Sequence, residues 1–253
     1  MIDPIFDKEF SPRRRVKHAL FLAARAVLLP ILRVTVRLRV AGMANIPRRG
    51  GAIVICNHLG WFDPPILDAA CSRPILFMAK EEFMNYPILR WFARQSGAFP
   101  VRRGTADRKA LQHAQSLIAD GLLVGMFPEG TRSKTGSLQR AFTGASLVVV
   151  RSNALIIPSI MIGTEDLPMS GNRGQKRGRL WPKVRVVFGE PFRLATRRPN
   201  GERYSLDELT DAMMIEIARM LPPQYRGVYA DLADRSHPAV LRDCTESLPN
   251  AAH

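Results

Sequence analysis

Ala52–Asp63 reads AIVICNHLGWFD, and this segment decides the fold class. Its first five residues are all apolar, which is typical of a strand that other elements cover on both faces. The polar residues that follow open a loop at the carboxyl end of that strand. Folds of alternating strands and helices usually place their ligands at this end. The segment therefore predicts a buried sheet and a site directly beside it.

The same alternation of strands and helices continues along the chain. Alternating residues predict a strand at Val34–Val40, and further strands are predicted at Ile75–Ala79, Leu122–Phe127, Leu155–Ile162 and Val184–Phe188. Helices are expected over residues 13–29, Pro64–Ala70, Pro87–Arg94, Ala106–Asp120, Thr143–Ser152 and Ser205–Leu221. The last of these begins with a capping-box pattern, Ser205 followed by Glu208. We expect an α/β fold in which helices cover the sheet in layers.

The composition fits a protein with a substantial core. Of 253 residues, 46% are hydrophobic and 23% are charged, which excludes wholesale disorder. Lys and Arg number 37 against 22 Asp and Glu, so the net charge is +15. This charge favours nucleic acid, an anionic bilayer or phosphate-bearing substrates. Three cysteines without metal-type spacing indicate a reducing compartment, with no metal site and no disulfide framework.

The N-terminal region mixes basic and apolar side chains. Residues 13–40 read RRRVKHALFLAARAVLLPILRVTVRLRV, and Arg25 interrupts the apolar stretch. Neither a signal peptide nor a spanning helix is therefore expected. The mixture is typical of a segment in a membrane interface, and an amphipathic helix on the protein's own core is the alternative. We predict a membrane-association segment over 1–33, a main domain over 34–229 and a polar tail over 230–253.

The loop after the first buried strand carries His58 and Asp63. An imidazole has a reference pKa of about 6.5, so it can take a proton from a hydroxyl at neutral pH. A carboxylate beyond the turn at Gly60 can accept from the other ring nitrogen and stabilise the imidazolium. A surface His–Asp pair is the alternative, since this spacing arises often by chance. Third and fourth metal ligands do not accompany the pair at suggestive spacing.

Two further loops carry groups that suit phosphate. Phe127–Ser133 reads FPEGTRS, again directly after an apolar run. Here Glu129 can accept from a polyol hydroxyl, and Arg132 offers a planar fork for phosphate. Arg102 and Arg103 are adjacent guanidinium groups after another apolar edge. For both loops, a solvated charged turn is the alternative.

Together these motifs resemble the 1-acylglycerol-3-phosphate acyltransferase family. The matching blocks, which lie roughly within residues 40–192, are NHxxxxD at Asn57–Asp63, GxxxVxR at Gly97–Arg103, FPEGTRS at Phe127–Ser133 and the strand at Ile156–Pro158. The glycerol-3-phosphate acyltransferases share these blocks, and the pairing of NHxxxxD with FPEGTRS is highly specific. The resemblance implies a glycerol-3-phosphate acyltransferase-like fold, with a mixed β-sheet layered with helices.

The resemblance also implies roles for individual residues. His58 would be the general base, and Asp63 would orient it. Lys80 lies in a segment similar to the family's A-K-x-E-L, where the lysine is near the active site. Ala141–Ala145 reads AFTGA where the family often has FKxGA, so that lysine is missing here. The implied substrate-binding residues are Asn57, Lys80, Arg102, Arg103, Glu129, Gly130, Thr131 and Arg132.

The implied activity is transfer of a fatty acyl group to the free hydroxyl of 1-acylglycerol-3-phosphate, giving phosphatidic acid. The donor would be acyl-CoA or acyl carrier protein, and no cofactor is expected. The protein would be peripheral or monotopic on the cytoplasmic face of an anionic membrane, with no nucleic acid as partner. The alternatives are another lysolipid acceptor, including an amino-acid lysolipid, or a non-catalytic basic protein that binds membranes or nucleic acid.

Overall fold

The architecture is that of a computed structural model, which describes residues 18–80, 85–86, 98–101, 107–167, 181–235 and 237–242. Its helices are α1 (His18–Thr35), α2 (Asp63–Ala70), α3 (Arg108–Ala119), α4 (Gly144–Ser152) and α5 (Leu206–Met220). Its strands are β1 (Arg39–Ala41), β2 (Ala52–Cys56), β3 (Ile75–Lys80), β4 (Phe99–Val101), β5 (Leu123–Met126), β6 (Leu155–Ile162), β7 (Arg185–Phe188), β8 (Arg193–Leu194) and β9 (Val240–Leu241). The helix predicted over Pro87–Arg94 lies outside the described residues.

Across these described ranges, seven strands form one sheet in the order β1-β7-β6-β2-β5-β3-β4. Neighbouring strands are parallel except β6 and β7, which are antiparallel. The register sets Ile55 of β2 beside Met126 of β5, and Cys56 beside Ser159 of β6. The prediction of a mixed sheet layered with helices is confirmed.

Strand β2 lies at the centre of the sheet, and all five of its side chains are buried. Successive side chains of a strand point to opposite faces. Ile53 and Ile55 therefore pack with residues of α3, α4 and α5, whereas Ala52 and Val54 pack with residues of α1 and α2. The first polar side chain comes at Asn57, where the chain leaves the sheet.

The N-terminal helix is longer than the sequence predicted. Helix α1 continues through Pro30 and ends at Thr35, so the strand predicted over Val34–Val40 was wrong except at β1. Proline lacks the N–H that a helix interior needs and usually ends or kinks the helix. Pro30 lies on the exposed side of α1, where water can bind the carbonyl that the missing N–H leaves without a partner.

One side of α1 packs on the protein and the other is exposed. Leu29 of α1 and Val36, which directly follows it, are buried in the same core as α2, and Nε of Arg25 donates to the Cys71 carbonyl at 2.7 Å. The large apolar side chains that α1 exposes among its described residues are Leu22, Val27, Leu28, Ile31 and Val34. Of the helices in the described part of the chain, none is both long and apolar enough to cross a membrane.

The region after Tyr229 also takes part in the fold. Strand β9 pairs with β8 in an antiparallel ladder that sets Leu194 opposite Val240. Ala233 and Ala239 are buried in the larger core cluster. The described residues 230–235 and 237–242 therefore belong to the main domain. The rest of the predicted tail lies outside the described residues.

Candidate active site

Two of the predicted loops meet at one edge of the sheet. His58 follows β2 and the FPEGTRS loop follows β5, and these parallel strands are neighbours. Both loops therefore leave the sheet at the same end. The backbone N–H of Ser133 donates to the His58 carbonyl at 2.7 Å, which joins the two loops directly.

His58 and Asp63 form a buried pair. Nδ1 of His58 is 2.8 Å from Oδ2 of Asp63, and the two residues are 6% and 0% exposed. An ionised carboxylate only accepts hydrogen bonds, so Nδ1 carries the proton and donates. Nε2 is then the basic nitrogen that remains for a hydroxyl. Such a pair can remove a proton from an alcohol and stabilise the resulting imidazolium.

The turn itself holds the Asp63 carboxylate in place. Oδ2 also accepts the backbone N–H groups of Leu59 at 2.6 Å and Gly60 at 2.8 Å. Asp63 is the first residue of α2, where a negative charge is favoured by the helix dipole, and Pro64 follows it at a position that suits a helix start. Three donors on one oxygen fix the carboxylate, and the carboxylate in turn fixes the imidazole.

An aromatic wall supports the face of the imidazole. The rings of His58 and Phe127 stack with centroids 4.1 Å apart and an interplanar angle of 20°. Phe77 of β3 stacks on Phe127 in turn, at 5.6 Å and 15°. The sequence interpretation assigned Phe127 to a strand and missed this contact. The sequence feature that could have indicated a place in the site is the position of Phe127 as the first residue of the FPEGTRS motif.

Glu129 connects the two loops through both of its carboxylate oxygens. Oε1 accepts the backbone N–H of His58 at 3.1 Å, and Oε2 accepts that of Gln139 at 2.9 Å. The residue is 2% exposed, and this burial raises the pKa of Glu129 to about 7 although both N–H groups act to lower it. The substrate-binding role expected of Glu129 stays a prediction.

Asn57 is bound to the neighbouring strand β6. Its side-chain amide donates to the Met161 carbonyl and accepts from the Met161 N–H, both at 2.8 Å. The side chain is buried, and these two bonds hold the start of the catalytic turn against the sheet. Its expected contact with substrate also stays a prediction.

The other predicted residues of the FPEGTRS loop lie near the surface. The guanidinium carbon of Arg132 is 4.2 Å from the ring centroid of Trp61. The face of the guanidinium lies against the ring. Its N–H groups, which are the part that binds phosphate, point outward within the plane of the guanidinium. Gly130 has a φ of 66°, and its N–H donates to the Phe127 carbonyl at 2.9 Å. Thr131 is exposed.

The remaining predicted site residues are described in part or not at all. Lys80 ends β3, where it pairs with Val101 of β4, and β3 ends at the same edge as β2. Its side chain is outside the described part of the chain, as are Arg102 and Arg103. No three His, Cys, Asp or Glu side chains among the described residues are grouped to hold a metal ion.

The buried pair at the end of β2 suits a general base that activates a hydroxyl group, and known proteins identify the class of reaction. The Acyltransferase family matches residues 37–162. The 1-acyl-sn-glycerol-3-phosphate acyltransferase of Bacillus subtilis is 30% identical over 179 residues, which are 69% of this chain and 83% of that protein. This chain belongs to the 1-acylglycerol-3-phosphate acyltransferase family, and it is an acyltransferase.

Two further comparisons extend the picture. The lyso-ornithine lipid O-acyltransferase of Pseudomonas aeruginosa is 31% identical over 137 residues, which are 54% of this chain and 49% of that protein. The chain thus spans about half the length of that relative. The crystal structure of the LPA acyltransferase PlsC from Thermotoga maritima matches with a TM-score of 0.58 and 24% identity, over 87% of this chain and 82% of that one. At this identity the match supports the fold.

Proposed function

We propose that this chain transfers a fatty acyl group to the free hydroxyl of 1-acylglycerol-3-phosphate and so makes phosphatidic acid. The observation that carries the proposal is the buried contact of 2.8 Å between His58 Nδ1 and Asp63 Oδ2. It prepares Nε2 to accept the hydroxyl proton. The name of the Bacillus subtilis relative supplies the acceptor.

The chemistry is direct transfer from a thioester. Nε2 of His58 removes the proton of the acceptor hydroxyl while the oxygen attacks the thioester carbonyl of acyl-CoA or acyl carrier protein. The tetrahedral intermediate collapses, the C–S bond breaks, and the imidazolium returns its proton to the thiolate. Asp63 stabilises the imidazolium throughout. No acyl group is bound covalently to the protein in this scheme.

The intermediate's oxyanion requires donors that are already in place. Lys80, at the end of β3, and backbone N–H groups of the FPEGTRS loop are the candidates. Gly130 itself is less suitable, because its N–H already donates to the Phe127 carbonyl. Arg132, together with Arg102 or Arg103, would bind the phosphate of the acceptor.

In this proposal Asn57 and Glu129 hold the loops of the site in place. Each uses its side chain to bind backbone groups of other segments, and each is 2% exposed. Their part is to hold His58 in register with the FPEGTRS loop. This positioning role adds to the substrate contacts predicted for both residues, whereas His58 meets the acceptor.

The membrane has a place in the proposal because the substrates carry long acyl chains. Burial of a CH2 group is worth about 0.8 kcal/mol, so a tail of about 16 carbons strongly resists transfer to water. The exposed apolar side of α1, with Val27 65% and Val34 67% exposed, suits insertion at the cytoplasmic face of an anionic bilayer. Acylation would then take place at that surface.

A second acceptor class is motivated by the Pseudomonas aeruginosa relative, whose name specifies a lyso-ornithine lipid. Like the glycerol compound, such a lipid presents a free hydroxyl to the base. It lacks the phosphate that Arg132 would bind. The two acceptors therefore differ in what they require from the FPEGTRS loop.

A substrate panel tests the proposed function. Purified full-length protein is incubated with acyl-CoA or acyl carrier protein and with labelled lysolipids, and products are identified by mass. We expect phosphatidic acid, and loss of about 10²- to 10⁴-fold in rate for His58→Ala. His113→Ala is the matched control, since His113 lies in α3 against Phe99. Wild-type rates for His58→Ala would disprove the mechanism, and exclusive use of lyso-ornithine lipid would replace the acceptor.

A further inference from the structure

Among the residues that the structure describes, at least four aromatic side chains are exposed around the active-site edge of the sheet, and we call these four the aromatic rim. They are Trp61, Phe62, Phe142 and Trp181, with exposed fractions of 44%, 41%, 65% and 58%. A single exposed apolar side chain needs no explanation, but a continuous group marks a contact surface. The question is therefore whether these four are continuous.

Three rim residues surround the catalytic turn and the FPEGTRS loop. Trp61 and Phe62 belong to the turn itself. Trp61 stacks on Arg132 of the neighbouring loop at 4.2 Å. A Cβ atom placed on Gly130 would lie 2.8 Å from Cδ2 of Phe142, so this ring packs directly on the same loop.

Trp181 lies in the chain just before β7, which begins near the same edge. Gly60 of the catalytic turn packs on the Thr164 carbonyl, since a Cβ placed there would lie 2.9 Å from it. The adjacent Gly163 packs against the carbonyl of Lys183, two residues after Trp181. The rim thus follows the carboxyl ends of β5, β2 and β6 and the amino end of the antiparallel β7.

Basic groups accompany the rim. The exposed basic residues at the end of α1, in the FPEGTRS region and at the start of β7 are Arg33, Arg37, Lys134, Lys183 and Arg185. The Val184 N–H donates to the Val36 carbonyl at 3.0 Å, so the basic residues at the end of α1 lie near those at the start of β7. Two acids described beside the start of β7, Glu165 and Asp166, are half-buried, and Glu165 accepts from the Tyr225 hydroxyl.

We infer that the aromatic rim is a second membrane contact, beside the C-terminal end of α1, which sets the mouth of the active site against an anionic bilayer. The inference rests on the proposed function, because a lysolipid acceptor is delivered from a bilayer. Tryptophan rings favour the headgroup region, and Lys and Arg beside them attract anionic lipid. A lysolipid can then reach His58 without its chain crossing water.

Binding to vesicles tests the inference in the full-length protein. The vesicles contain equal parts of phosphatidylcholine and phosphatidylglycerol, without substrate. We expect Trp181→Ser to bind about five- to tenfold more weakly than wild type, and Trp181→Phe to bind nearly as well because the ring remains. Leu241→Ser is the control. This side chain is 48% exposed on β9, which pairs with β8 near the amino end of β6, whereas the rim lies at the carboxyl end of β6. Thermal unfolding by circular dichroism verifies that all three variants fold.

Equal vesicle binding by Trp181→Ser and wild type would overturn the inference. So would a change in self-association of Trp181→Ser, seen by sedimentation, without a change in vesicle binding, because the rim would then be a protein interface. Turnover of a dispersed short-chain acceptor should be the same in Trp181→Ser and wild type. If wild type acylates no acceptor, the proposed function fails, whereas the vesicle comparison still decides the inference.

Discussion

Among the single residues of the site, Asp63 has the central position, because its carboxylate holds the turn that follows β2. One of its oxygens accepts from the His58 ring and from two backbone N–H groups, at 2.6 to 2.8 Å. Its other oxygen, Oδ1, is buried and has no hydrogen-bond partner among the described residues. Hydrogen bonds to a charged oxygen are strong, so the turn and the catalytic pair stabilise one another.

Asp63→Asn should lower kcat by about 10²- to 10⁴-fold, because a neutral amide cannot stabilise the imidazolium as the carboxylate does. Steady-state kinetics measures the loss, and thermal unfolding measures the accompanying loss of stability. Asp68→Asn is the matched control in α2, where Asp68 Oδ1 accepts only the Ile75 N–H in the described structure. A wild-type kcat for Asp63→Asn would contradict the role given to this residue.

Glu129 makes stability depend on pH. Burial raises its pKa in the folded protein to about 7, above the ordinary value of 4.5. Folding is therefore favoured while Glu129 is protonated, and this contribution is lost as pH rises from about 4.5 through 7. The free energy of unfolding of wild type, measured relative to Glu129→Gln, should fall by about 3 kcal/mol between pH 4 and pH 8. Urea unfolding at several pH values measures it, and a rise would contradict the assignment.

At the scale of elements, parallel pairing of β2 with β5 and β6 is what assembles the site. Each strand ends at the same edge, and the loops that follow β2 and β5 exchange backbone and side-chain hydrogen bonds. Helix α2 supplies Asp63 from its first turn. Helices α3, α4 and α5 cover the opposite face and contribute core contacts. Elements on that face should therefore affect stability more than chemistry.

The N-terminal cap of α5 gives a test of that separation. Ser205 accepts from the Glu208 N–H while the Glu208 side chain accepts from the Ser205 N–H. Ser205→Ala should destabilise the protein by about 1 kcal/mol, and Ser205→Asp should restore most of it. We expect kcat at a permissive temperature to be unchanged in both. Denaturant unfolding and steady-state kinetics give the two numbers, and a large drop in kcat would show that α5 is coupled to the site.

At the scale of the whole molecule, charge and apolar exposure are combined on one side. The net charge is +15, and exposed Arg33 and Arg37 lie close to exposed Ile31 and Val34 at the end of α1. An anionic bilayer attracts each nearby Lys or Arg by about 1 kcal/mol, and salt screens the attraction. Apolar side chains add a contribution that salt does not screen.

Vesicle binding should therefore be salt-dependent in a defined way. Between low salt and about 0.5 M NaCl, affinity for phosphatidylglycerol-containing vesicles should fall by at least about tenfold. Affinity for pure phosphatidylcholine vesicles should be weak and nearly independent of salt. Co-sedimentation at a series of salt concentrations measures both. Equal binding to the two kinds of vesicle would contradict an electrostatic contribution.

Much of this protein follows from local sequence. The apolar run of β2, the strand at Leu155–Ile162 and the helix after Ser205 were predicted because periodicity and capping act within a few residues. The pairing of His58 with Asp63 was predictable for the same reason, since a tight turn separates them. Helix α1 was the failure, because the packing of Leu29 and Val36 on the core outweighs the effect of Pro30.

Reasoning from the residues alone predicted the α/β class, the pairing of His58 with Asp63 and the net positive charge. The surroundings of that pair became visible with the three-dimensional fold: Glu129 accepts the His58 N–H, Phe127 stacks on the His58 ring, and Asn57 binds Met161. The last of these contacts joins residues more than 100 positions apart in the chain. Local spacing cannot specify such partners, because they depend on which strands lie next to one another in the sheet.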